Sequence, residues 1–168
     1  MPHAAHLLDW FAVFALLAAL IAAAISDAVT YLIPNRYAVA VAVAFVVYGI
    51  GKPLGVWLHG IEAAALLFAV GALLFERGIL GGGDVKLMTA VALWTGFDDL
   101  PLMLMVTGLC GGALALAHLS PLHRLMPARP GSAPEGNDLR SRLRRPVPFG
   151  VAIALGGATI ALARFTPG

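Results

Sequence analysis

The chain has 168 residues, 60% of them hydrophobic and only 12% charged, with a mean hydropathy of +0.89. That balance excludes a water-soluble enzyme of this size and points to a polytopic membrane protein, one domain over residues 1–168. A formal charge of +2 would suggest nucleic acid in a soluble protein, but in a membrane protein the placement of basic residues sets topology, and no nucleic-acid partner is expected.

Six apolar runs follow one another: about Leu7 to Ile25, Tyr37 to Ile50, Leu54 to Phe75, Val85 to Phe97, Leu100 to Leu119 and Val147 to Ala163. No barrel-like alternation is visible. Backbone groups in lipid must then bond within their own segment, so the expectation is an all-α fold of six transmembrane helices. The second and fourth runs fall short of the roughly 20 residues that cross a bilayer, so flanking residues must complete them. The first ends in Ala22-Ala23-Ala24, as a signal-peptide cleavage site might, but no Lys or Arg precedes it, and cleavage is not expected. Small residues, among them Gly71, Gly108, Gly111, Gly112, Gly156 and Gly157, suit close helix approach.

With the N-terminus outside, the inner connections carry Arg36, Arg77, Lys86, Arg124, Arg129, Arg140, Arg142, Arg144 and Arg145, and the outer ones Lys52 and Arg164. Nine against two places the N-terminus outside by the positive-inside rule. Residues 120–146, rich in Pro, Gly and Arg, then form a cytoplasmic loop lying against anionic lipid headgroups.

On this topology two acids reach one depth at the inner face. Asp27 ends the first run, ahead of the turn at Pro34 and Asn35. Asp84 opens the fourth run after Gly81, Gly82 and Gly83. Either alone reads equally well as an interfacial carboxylate at a helix end, where the helix dipole favours Asp84 without any catalytic task. Together, with glycines leaving room for an extended peptide, they suit acid–base hydrolysis of an amide. Two carboxylates within reach of one water titrate as a unit, one acting as base toward water while the other donates to the carbonyl oxygen. The glycines predict a loop before Asp84 that is open or mobile without substrate.

Ser26-Asp27 followed by Ile33-Pro34-Asn35, then Gly81-Gly82-Gly83-Asp84-Val85-Lys86-Leu87, then Val147-Pro148-Phe149-Gly150, resembles the type IV prepilin peptidase (leader peptidase) family of membrane aspartic proteases. A G-x-G-D alone would be a weak signal; G-x-G-D-x-K-L with an upstream Asp, I-P-N and a late P-F-G is more specific, and the resemblance covers essentially the whole chain. It implies cleavage, at the cytoplasmic face of the inner membrane, of the short basic leader of prepilin-like proteins, after a Gly and before the hydrophobic stem. Asp27 and Asp84 match the family's catalytic aspartates. Gly81, Gly83, Lys86, Pro34, Asn35, Pro148 and Gly150 match positions that shape the site or contact substrate, although Lys86 reads equally as a snorkelling cation. The likeness is to the short members associated with Flp or tight-adherence pili, or to the archaeal preflagellin peptidases. The cytoplasmic domain of the larger members, with its zinc-binding cysteines and methyltransferase activity, is not matched, so no metal, cofactor or pilin methylation is expected.

Other residues read as structural. His59 and Glu62 form a polar pair near the outer end of the third run, with no third ligand for a metal. Trp10, Trp57, Trp94, Tyr31, Tyr37 and Tyr48 suit interfacial anchoring or packing. His3 and His6 lie at the terminus, His118 and His123 beside the loop, and Asp98 and Asp99 in an outer turn. Cys110 has no partner for a disulfide or a tetracysteine site. The rival class is a small ion or proton-coupled transporter using the same two acids, and a third is a non-catalytic scaffold.

Overall fold

Between Leu7 and Thr30 the chain contains neither Gly nor Pro, so nothing interrupts the helical ladder until a turn beginning at Tyr31. In the computed structural model, which describes residues 2–119 and 147–165, α1 accordingly runs Pro2–Thr30. Pro34 and Pro53, both at φ −58° with extended ψ, stand immediately before α2 (Asn35–Gly49) and α3 (Leu54–Glu76). α3 stops in a Schellman turn. Gly78, at φ 69°, donates its N–H to the Phe75 carbonyl, and Ile79 donates to that of Leu74. α4 spans Gly82–Leu119 and α5 Phe149–Phe165.

The fourth and fifth apolar runs, expected as separate helices, are two arms of α4 joined at Gly96, the one non-helical residue within it (φ 56°, ψ −163°). The reversal needs only this residue because glycine adopts a positive φ without a Cβ clash, so helical bonding resumes at once. The arms run back to back. Val91, before the reversal, lies against Gly157 and Thr107, after it, lies against Gly156, although about 24 Å of straight helix would separate them. Among the described residues three stretches are long and apolar enough to cross a membrane: Leu7–Thr30, Leu54–Glu76 and Gly82–Ala117. α2 and α5 are shorter, with 15 and 17 residues. The chain is a multi-pass membrane protein, and its described residues are all-helical, in five helices, one of them folded back.

α4 packs against α2, α3 and α5, and α1 against α2 and α5. Leu16, Leu20, Val41, Leu87, Val91, Met103, Ile153 and Ile160 form the fully buried centre. Lipid is as apolar as these side chains, so close packing and inter-helix hydrogen bonds hold such a bundle together. One such bond runs from Trp94 Nε1 to the Val41 carbonyl at 3.1 Å. At one end Lys52 pairs with Asp9 at 2.8 Å and lies over the Tyr48 ring. At the other end α1 finishes and α4 and α5 begin.

Candidate active site

The last turn of α1 is tied down by its own side chains. Thr30 Oγ1 donates to the Ser26 carbonyl (2.7 Å), Ser26 Oγ to that of Leu32 (3.0 Å), and the Tyr31 N–H to that of Asp27 (2.8 Å). Tyr31 sits at φ 54°, a left-handed position that costs an L-residue of its bulk about 1–2 kcal/mol. That reversal throws Leu32 and Ile33 back across the end of the bundle. Burial, and next the charge of Asp27, push the Tyr31 phenol upward, so it stays protonated beside that carboxylate.

Asp27 is only 5% exposed. Its Oδ2 accepts the Gly150 N–H at 2.6 Å, and the Val151 N–H also bonds this carboxylate. Both donors belong to the first turn of α5, whose N–H groups have no partner within the helix. Asp27 thus caps a helix 123 residues away in sequence. Asp84 does the same for its own helix: its Oδ2 accepts the Gly81 N–H at 3.2 Å while Val85 N–H reaches the Gly81 carbonyl at 3.1 Å, half of a capping box. Each acid therefore lies where the helix dipole favours negative charge. Asp84 is close enough to Asp27 for the two charges to interact.

The glycines before Asp84 do not form the open loop expected of them. Gly82 and Gly83 lie in the first turn of α4. The reason is packing: a Cβ on Gly83 would stand 3.0 Å from both the Cβ and the carbonyl oxygen of Ile33. A Cβ on Gly150 would stand 2.9 Å from Asp27 Oδ2 and would also strike Ile33 Cδ1. Ile33 is thus wedged between the two glycine positions, and it fixes the α4 and α5 starts relative to one another. Nothing in the sequence marked Ile33 beyond its place ahead of Pro34, because its role rests on contacts with residues 50 and 117 positions away. Ser26 was marked only as the neighbour of Asp27, Tyr31 read as an anchor, and Thr30 was missed; a bulky residue at positive φ leaves no pattern to read.

Among the remaining expected residues, Lys86 Nζ donates to Asn35 Oδ1 at 3.0 Å, tying the first turn of α4 to the first residue of α2. Pro34 directly precedes α2, and buried Pro148 precedes α5. All nine positions thus gather at one end of the bundle. His59 and Glu62 lie elsewhere, exposed on α3, and Asp98 and Asp99 follow the Gly96 reversal. Among the described residues no three His, Cys, Asp or Glu side chains come together as a metal site would require. The loop residues His123, Arg124, Arg129, Arg140, Arg142, Arg144 and Arg145 lie outside the described residues, as do the side chains of His3, His6 and His118.

Two buried or half-buried carboxylates, each held by backbone N–H groups and near enough for their charges to interact, are a fit arrangement for moving protons to and from a peptide bond. Comparison with known families agrees. Residues 14–116 match the model of the type IV leader peptidase family, a span that includes Asp27, Ile33-Pro34-Asn35 and Gly81 to Lys86 and stops short of Pro148-Phe149-Gly150. No curated protein and no solved structure matches the chain significantly. With well over half of its length matched, the chain belongs to the type IV leader peptidase family.

Proposed function

We propose that this peptidase is an aspartic endopeptidase that removes the basic leader of prepilin-like proteins, cutting after a Gly at the cytoplasmic face of the membrane, with Asp27 and Asp84 as its catalytic pair. The observation that carries the reading is the convergence of the two acids, from α1 and α4, at one end of the bundle, each with an oxygen held by a backbone N–H. Backbone N–H groups hold each carboxylate in place, and a carboxylate's four lone-pair sites leave it room to accept from water or substrate as well. The ionised member takes a proton from water as the water oxygen attacks the scissile carbonyl carbon, and the protonated member gives its proton to the carbonyl oxygen. When the tetrahedral adduct collapses, the C–N bond breaks and the departing amine takes up the proton held by the first. The proton belongs to the pair, so its first location is a property of both groups.

Orientation rests on charge. The Asp27 end is also the end of Arg36, Arg77 and Lys86, which the positive-inside rule assigns to the cytoplasm, and reading the arms of α4 as separate crossings gives six spans. A transporter reading draws no support from this arrangement, since both acids are engaged with helix N-termini at one end and not with each other across a path.

The test compares leader removal from a purified prepilin-like substrate by wild type, Asp27→Asn and Asp84→Asn. Asparagine still accepts an N–H bond and keeps the cap, so folding persists while the acid is lost. Cleavage is expected to fall by about 10³-fold or more in both. Retained cleavage in either variant would end the two-acid mechanism.

A further inference from the structure

Ile33 is the point at which the supports of the two acids meet. Its Cδ1 and Asp27 Oδ2 both crowd the one point that a Cβ on Gly150 would occupy. Its Cβ and carbonyl oxygen each stand 3.0 Å from the corresponding point on Gly83, the residue before Asp84. The side chain is therefore set beside one acid and against the backbone that carries the other. It packs on the core yet is only half-buried, so part of its surface faces outward at the end of the bundle.

That position constrains anything bound between the acids. A scissile carbonyl has to approach both carboxylates, and the Cα attached to it lies only about 1.5 Å from the carbonyl carbon. The surface offered to that Cα is made by Ile33 and by two glycines that carry no Cβ of their own. It has nowhere to retreat. Ile33 Cβ is already pressed on Gly83 and Cδ1 on Gly150, and Pro34, at its fixed φ of −58°, follows directly. Bare peptide backbone fits such a surface, and a side chain does not.

We propose that Ile33 sets the requirement for glycine before the cut, its side chain being the wall that leaves no room for a Cβ on the residue supplying the scissile carbonyl. On the endopeptidase reading above, on which this assignment rests, selection works by exclusion: the wall leaves glycine unhindered and obstructs any larger residue.

The test measures kcat/KM of the full chain in detergent for two prepilin-like substrates that differ only in Gly or Ala before the cut. Wild type is expected to prefer Gly by about 100-fold. Ile33→Val removes Cδ1 and keeps the β-branch against Gly83. It is expected to cut the Gly substrate within about threefold of wild type and to narrow the preference to about tenfold, and Ile33→Ala to narrow it further. Should Ile33→Ala fail to fold, Ile33→Val decides alone. Trp94→Phe, which loosens the bundle at its other end, is expected to leave the preference unchanged. A role in packing alone would slow both substrates together. An unchanged ratio in Ile33→Val, equal cutting of both substrates by wild type, or loss of Gly cleavage in Ile33→Val would each overturn the proposal. Wild type that leaves the Gly substrate uncut would overturn the endopeptidase reading as well.

Discussion

The two ends of the bundle are built from different materials. At the Asp9 end, Phe45 packs edge-on against Trp57 and Trp94 at 5.5 and 5.9 Å, and Tyr48 lies 5.2 Å from Trp94. Trp57 Nε1 donates to the Gly49 carbonyl, and the Asp9–Lys52 pair closes the end. Large rings, satisfied N–H groups and a direct ion pair make an anchor. At the Asp27 end there are glycines, a strained Tyr31 and two carboxylates held by backbone N–H groups. One end stabilises by filling space; the other holds charge where an open first turn of helix accepts it. The lesson is that the free N–H groups of a helix's first turn can hold an acid in a half-buried place.

Substitutions sharpen this contrast. The largest effect separates cap from acid at Asp27: Asp27→Asn loses cleavage but keeps its melting point in detergent. Asp27→Ala loses cleavage and also lowers stability by about 1–2 kcal/mol, because the Gly150 N–H is left without an acceptor. Equal melting points for the two variants would mean that the cap carries no weight. Next, Gly83→Ala drives a methyl into Ile33 and is expected to cost about 1–3 kcal/mol. Pairing it with Ile33→Ala is expected to recover part of the lost stability, and a strictly additive double variant would show that the two residues do not press on each other.

At the anchoring end effects are smaller and fall on stability alone. Trp94→Phe removes the bond to the Val41 carbonyl and is expected to cost about 1 kcal/mol with leader cleavage unchanged. Smallest of all, Lys52→Met breaks the part-buried ion pair with Asp9 at the end of the bundle and is expected to cost about 1 kcal/mol or less. A fall in cleavage in either variant, without unfolding, would break the division between the ends.

Composition and hydropathy made the helical class legible, and the motif residues were legible as a group because their spacing is local. Other features were not. Gly96 was invisible as a reversal because Phe97-Asp98-Asp99 reads as an ordinary turn between two runs, whereas a single positive-φ glycine lets the ladder resume immediately. The glycines before Asp84 read as looseness, since sequence shows the missing Cβ but not the Ile33 side chain that occupies its place.

The bond between Asp27 and Gly150 has a consequence for biogenesis. Residue 27 leaves the ribosome long before residue 150, and until α5 has inserted, its carboxylate has neither of the N–H groups that hold it. A partly made chain therefore lacks an ordered acid pair, and synthesis of α5 acts as the safety catch on the peptidase.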